Sequence, residues 1–470
     1  MTTPTAPTTR HTRDRPNLVV ICTDTQRCDT LGTYGSRTGV TPHLDAFAEN
    51  ALVFDEAYTA SPVCGPARCS LLTGLHPQSH GAIENGFERH RDIATLPDLL
   101  ADRGYRCMMA GKTHFGDVPE TFTRYMETPP VRDVGSYPNA DARVVGEAIS
   151  WLETQRADEP FFLFVSLHMP HEPYQPTDDA VSRVDPATLP PLNWQPGDLD
   201  TQPRYLRDDL GIPTSPRETD TFFPNGEADR AAIDAERCRY HALCGMIDDQ
   251  VGRLLTTLRQ RGLDDNAAVV FTSDHGTALF DHGFRDKHSF HDPVWRVPML
   301  IRPPGRFTPR RVPGPMSWVD LTATLLGWAG ADTTQMQGFD LSETLNDADG
   351  RWPRNAVAAS VFHTVALATQ RWKIEFDLWR SSGRLFDRQA DSLERNDLWS
   401  DDAWRAVRDR LLNALLGWHG SLHSPQLDHL HLGRGGPVAD NARRAQSARP
   451  ASAADVQLQH ATAKLTGAYG

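Results

Sequence analysis

Residues 17–25 read Asn-Leu-Val-Val-Ile-Cys-Thr-Asp-Thr. An unbroken apolar, β-branched run from Leu18 to Cys22 stops at a polar Thr23-Asp24 step. So short a run, with no polar alternation, predicts a strand buried on both faces. The pattern recurs at 105–110, 161–167 and 267–272, with a further short strand at 298–302. Between these runs lie helical stretches at 42–50, 66–72, 96–103, 140–155, 240–261 and 320–328. Pro42 and Pro66 stand at helix starts, and Gly104 and Gly262 at helix ends, which is where each residue is tolerated best. Strands alternating with helices predict an α/β fold, a large mostly parallel sheet with helices on both faces. Past Arg351 the character changes. Short strands at 361–368, 372–376 and 384–386, then a helix at 402–418, predict a smaller C-terminal α+β subdomain.

The expected organisation is a disordered tail over 1–15, a main domain over 16–350, the subdomain over 351–424, and a tail or oligomerisation arm over 425–470. Residues 170–235 are rich in Pro and aromatics and show little periodicity. They are too long for an ordinary connector and read as a functional insertion or lid. Hydrophobic residues make up 39% and charged residues 23% of 470, the balance of a soluble domain with a real core. The net charge of -13 argues against a nucleic-acid partner. No apolar segment reaches the 18 or so residues of a membrane span. The seven cysteines are odd in number, thinly spread and without a Cys-x-x-Cys pair, so they predict neither a disulfide framework nor a zinc site. The polar N-terminus lacks the apolar run of a signal peptide, and the expected location is the cytoplasm.

In an open parallel sheet, ligands bind beyond the carboxyl ends of the strands. Four predicted strands end in reactive side chains: Asp24; Lys112 and His114; His168 and His171; Asp274 and His275. Four such endings on one sheet edge predict a single shared polar site. One Asp after a strand is as readily a helix N-cap, but Asp24, Asp274 and His275 together make a metal set. Carboxylates suit Ca²⁺, Mg²⁺ or Mn²⁺, and an imidazole shifts the balance toward Mn²⁺ or Zn²⁺. Lys112, His114, His171 and Lys287 supply positive charge for a tetrahedral oxyanion.

Residues 64–74 read Cys-Gly-Pro-Ala-Arg-Cys-Ser-Leu-Leu-Thr-Gly. This stretch resembles the signature of the type I, formylglycine-dependent sulfatase family of the alkaline-phosphatase-like superfamily. Cys64, Pro66, Arg68, Leu71, Thr73 and Gly74 stand at its fixed positions. The bland alternative is a buried cysteine ahead of a helix. The likeness continues through Gly-Lys-Thr-His-Phe-Gly (111–116), Pro-His-Glu-Pro (170–173), Thr-Ser-Asp-His-Gly (272–276) and Arg-Leu-Phe-Asp (384–387), and extends from about Pro16 to Trp418. It implies the alkaline-phosphatase-like fold and a catalytic role for 16–350. It also implies hydrolysis of a sulfate ester or sulfamate by residue 64 after oxidation to formylglycine.

Carried over by position, the resemblance implies that Asp24, Asp274, His275 and residue 64 hold one divalent cation, Ca²⁺ first and Mn²⁺ or Mg²⁺ next. Arg68 would orient the formylglycine, Lys112, His114 and Lys287 would bind sulfate oxygens, and His171 would protonate the leaving group. Asn85 stands where the family often contacts substrate. The implied partners are a small-molecule or saccharide sulfate ester, with a saccharide preferred, and a formylglycine-generating enzyme. A homo-oligomer through the C-terminal arm is a further expectation. Two positions depart from many members: Asp24 is followed by Thr25 rather than a second acid, and His275 stands where some carry Asn. Two rival readings stay open. One is a phosphonate monoester or phosphodiester hydrolase with the same site. The other is a non-enzyme, an unconverted metal- and anion-binding protein.

Overall fold

The computed structural model describes residues 15–126, 137–156, 158–198, 202, 222, 228–347 and 352–422. Strand β1, Asn17–Thr23, is buried along its whole length. It runs parallel between β6, Phe161–Ser166, and β7, Ala267–Ser273. Beyond β6 lie β4, Arg106–Gly111, and β5, Phe122–Met126, both parallel. Beyond β7 lies β8, Met299–Arg302, the one antiparallel strand, then β2, Leu52–Phe54, and β9, Arg310–Val312. The eight strands are ordered β5-β4-β6-β1-β7-β8-β2-β9.

The apolar runs are unbroken because both faces are covered. Val19, Ile21, Leu163, Val165, Val269 and Phe271 face one core with the helices Tyr137–Glu153 and Arg230–Gln260. Leu18, Val20, Phe162, Phe164, Ala268 and Val270 face another with Cys64–Thr73, Leu96–Ala101 and Trp318–Trp328. Each fully buried side chain of this kind contributes roughly 1.5–3 kcal/mol. Among the described residues no helix is long and apolar enough to cross a membrane.

After β3, Ala57–Tyr58, and β10, Met316–Ser317, which pair with each other, the chain builds a four-stranded antiparallel sheet. Its strands are β11, Ala356–Val361, β12, Thr364–Thr369, β13, Trp372–Asp377, and β14, Ser382–Asp387. One face packs on the helix Arg405–Ser421 through Leu411, Leu415 and Trp418. The other packs Val357, Ala359, Ala366 and Ala368 against Val63, Phe290 and Trp295. Lys373, fully buried on β13, donates to the Phe290 carbonyl (2.8 Å) and pairs with Asp292 (2.5 Å) and Glu394. The small sheet therefore grips both the residue before Cys64 and the loop after Lys287.

Two expectations change. The run 361–368 is not one strand but a hairpin turning at Phe362-His363, where Phe362 has φ +50°. Such turns ordinarily announce themselves with Asn or Gly, and Phe gives no such signal. The long helix begins at Arg230 rather than 240, its first turn capped by the Asp229 side chain on Ala232 N–H (3.0 Å). Arg237 and His241 lie on its buried face and mask the apolar period. The end of the 170–235 insertion is thus helical, and it carries a short helix at Asp178–Ser182. The rest of that insertion at 199–201, 203–221 and 223–227 lies outside the described residues, as do 1–14 and the proposed arm over 425–470.

Candidate active site

The helix Cys64–Thr73 starts abruptly because Val63 is extended and Pro66 fits only a first turn, and Gly74 ends it at φ +66°. Every residue of the helix is buried. Gly65 N–H, one of the amides the first turn leaves unpaired, donates to Asn85 Oδ1 (2.9 Å). Asn85 therefore braces the head of the helix. Cys64 sits there beyond the carboxyl ends of β1 and β7. Its Sγ lies 3.2 Å from His275 Nε2 and 3.8 Å from Asp24 Oδ1, and accepts from Lys287 Nζ at 3.3 Å. The exposed His114 also hydrogen-bonds it.

Arg68, one turn on, is fully buried between two fully buried acids. It donates to Asp274 Oδ2 through Nε (2.9 Å) and to Asp24 Oδ2 (3.0 Å). Lys112 also pairs with Asp24, and Ser166 at the end of β6 bonds Arg68. Gly111 precedes Lys112 at φ +104°, and a Cβ there would meet the Ser166 carbonyl at 1.9 Å, so only glycine lets β4 deliver the lysine. His171 Nδ1 faces the Glu172 carbonyl (2.6 Å), an acceptor, so that nitrogen carries the hydrogen. Its Nε2 is left 3.1 Å from Lys287 Nζ and 4.0 Å from Asp24 Oδ1.

The electrostatics follow from burial and neighbours. Burial alone would raise the Cys64 thiol, but Lys112, Lys287 and His275 outweigh it and hold it well below the ordinary thiol range. Burial and Cys64 likewise oppose ionisation of Asp24, yet Lys112, His171 and Arg68 keep its carboxyl below the usual range. Asp274 is raised, by burial first and by Asp24 second. Burial pulls the His275 imidazole down, but Asp274 and Cys64 push it up to about 9. Lys287 stays charged despite burial because Cys64 and Asp286 face it. A negative centre at residue 64 is thus stabilised from several sides.

The residues fit a hard cation. Asp24, residue 64, Asp274 and His275, all buried, offer ligand atoms within 4.8 Å of one another. His275 Nδ1 must donate to the Gly276 carbonyl (2.7 Å), which leaves the Nε2 lone pair for a metal. Thr25 Oγ1 is buried and has no hydrogen-bond partner among the described residues.

All the sequence-predicted site residues converge except His168, whose ring and backbone N–H are tied to Asp141 (3.0 Å). It positions the loop and stays out of the cluster. Ser166 was not foreseen, because a serine ending a strand carries no distinguishing local pattern.

Buried acids, an imidazole and a helix-borne residue 64 facing two lysines define a hydrolase site for anionic esters. The chain belongs to the sulfatase family: the family model described as Sulfatase matches residues 16–331. A second model, described as N-sulphoglucosamine sulphohydrolase, C-terminal, matches 280–419. The chain is an enzyme, a sulfatase-family hydrolase of sulfate esters. It is 25% identical over 456 residues to the uncharacterized sulfatase YidJ of Escherichia coli (strain K12), covering 87% of this chain and 88% of that protein. It is 24% identical over 482 residues to an N-acetylglucosamine-6-O-sulfatase of Bacteroides thetaiotaomicron, covering 85% and 86%. In fold it resembles a phosphonate monoester hydrolase of Agrobacterium radiobacter, with a TM-score of 0.76, 22% identity and coverage of 87% and 96%.

Proposed function

We propose that the site hydrolyses a sulfate ester or sulfamate of a saccharide, using formylglycine formed from Cys64 and one divalent cation, Ca²⁺ in first place. The observation that carries this reading is the buried convergence of residue 64 with Asp24, Asp274, His275 and Lys287. In the mature protein formylglycine would take the place of Cys64, its hydrate oxygens standing in for Sγ. Its hydrate would supply a hydroxyl nucleophile for sulfur and a second hydroxyl through which sulfate could be released. Asp24, Asp274, His275 and residue 64 would hold the cation, which would supply charge that acidifies that nucleophile.

The chain's own residues do the rest. Lys112, Lys287 and His114 hold the sulfate oxygens and neutralise charge that builds up as the S–O bond to the alcohol breaks. Arg68 locks Asp24 and Asp274 in place. With Nδ1 donating to the Glu172 carbonyl, His171 would give the departing alkoxide its proton from Nε2 as the imidazolium. Net, one water and one ester give the alcohol, sulfate and a proton. The saccharide preference rests on similarity to the N-acetylglucosamine-6-O-sulfatase. The whole 64–73 stretch is buried, so a formylglycine-generating enzyme would have to meet it before folding.

The direct test pairs mass spectrometry of the peptide containing residue 64 with turnover of an aryl sulfate and an aryl phosphonate monoester. Conversion exchanges SH₂ for O. An intact thiol in active protein, or a strong preference for the phosphonate, overturns the reading. Chelation of the cation is expected to abolish turnover and lower the thermal midpoint, since a ligand bound only by the folded state stabilises it, and Ca²⁺ should restore both. His171→Gln is expected to slow alkyl sulfates by about 10²–10⁴-fold but activated aryl sulfates far less. Equal losses on both would remove His171 as the acid.

A further inference from the structure

Trp379 is the most exposed large apolar side chain among the described residues, at 78%. A solitary exposed aromatic needs no explanation by itself, but this one is held in place. It sits in the turn between β13 and β14, beside the Phe362-His363 turn between β11 and β12. Its indole stacks flat on the His363 ring, with centroids 4.1 Å apart and planes within 5°. Asp377, whose side chain is fully buried, accepts from Trp379 N–H (2.9 Å) and Arg380 N–H (3.1 Å) and pairs with Arg380 (3.0 Å). Leu378 N–H to the His363 carbonyl (2.9 Å) ties the two turns together. One face of the indole is thus covered and fixed, and the other is open.

A run of contacts links the platform to the active site. Lys287 touches Cys64, and the next residue, His288, stacks on Phe362 at 5.5 Å. Phe362 is followed by His363, which carries Trp379. No other large apolar side chain in this sheet is exposed. A protein partner needs roughly 1,000 Å² of good contact, and a single indole face offers a small fraction of that. The occupant it fits is flat, with one apolar face and polar edges. A pyranose ring has this character, with axial C–H groups on a face and hydroxyls around the rim.

We propose that the open face of Trp379 is a saccharide-binding subsite, taking a sugar unit remote from the sulfate ester that is cleaved. The proposal rests on reading the substrate as a sulfated saccharide, and extends it to a chain of sugars rather than a single one. Because His363 stacks on the ring and Asp377 fixes the backbone that carries it, little side-chain entropy is lost on binding.

The test uses the full-length, matured, metal-loaded protein and its Trp379→Ala and Trp379→Phe variants. Calorimetric Kd and steady-state KM are measured for a sulfated glucosamine-containing tetrasaccharide, for glucosamine 6-sulfate and for p-nitrophenyl sulfate. Trp379→Ala is expected to raise Kd and KM for the tetrasaccharide about tenfold relative to the two small substrates, the factor that about 1.4 kcal/mol of lost contact produces. Trp379→Phe should recover part of the loss. Equal effects on all three substrates, no effect on the tetrasaccharide, or a wild type that binds it no better than the monosaccharide overturns the proposal. So does a sedimentation change in Trp379→Ala, which would make the indole a contact between copies. If tetrasaccharide binding depends on Trp379 but no sulfate ester is hydrolysed, the subsite stands and the sulfatase reading of the site falls.

Discussion

Cys64→Ala is expected to fold, to keep its affinity for sulfate, and to lose about 10⁵-fold or more in turnover of every sulfate ester. The reason is the division of labour around residue 64. Lys112, Lys287 and the histidines create the positive pocket, and none of them is removed. Only the proposed nucleophile is lost, and a cation held as proposed would lose one of four protein ligands while keeping Asp24, Asp274 and His275. The change deletes a single buried atom at a helix start, so the stability cost should be small, about 1 kcal/mol. Circular dichroism and the thermal midpoint measure the fold, calorimetry measures sulfate binding, and product release measures turnover. A variant with wild-type turnover would remove residue 64 from the chemistry.

Arg68→Met is expected to be the most destabilising single change in the site. Arg68, Asp24 and Asp274 have no exposed side-chain surface, and one guanidinium bonds both carboxylates. Removing it leaves two acids facing each other without water, which should cost about 3–5 kcal/mol. Arg68→Lys keeps the charge, but a point ammonium cannot copy the fork that spans two acceptors, so an intermediate loss is expected. Denaturant midpoints at saturating Ca²⁺ separate this from cation loss. A midpoint for Arg68→Met equal to wild type would show that Lys112 and the cation suffice to neutralise the pair.

Part of this site is legible residue by residue. Asp24 and Asp274 stand out because each closes an apolar run, and a run that stops at an acid announces both a buried strand and its functional end. Residues 64–74 stand out because the required backbone features are local: Pro in the first turn, Gly in the left-handed position, and the reactive residue before both. His168 misleads for the same reason that His171 succeeds, since both follow β6. Only the position of Asp141 on the neighbouring helix shows which of the two faces inward. The Phe362 turn stayed hidden because its positive φ is stabilised by a ring contact with His288 rather than by a residue that prefers that conformation.

Strand runs, helix ends and the nucleophile segment follow from the sequence by itself, because they depend on neighbours a few residues away. The joining of Arg68 to Asp274, 206 residues apart, does not. It depends on β1 lying between β6 and β7, a strand order that no local period encodes. Tertiary structure alone likewise brings the C-terminal sheet against Val63 and Phe290 and places Trp379 at the end of a contact path from residue 64. Those contacts arise from packing two sheets together, and the free energy that selects them is distributed over the shared core rather than written in any one segment.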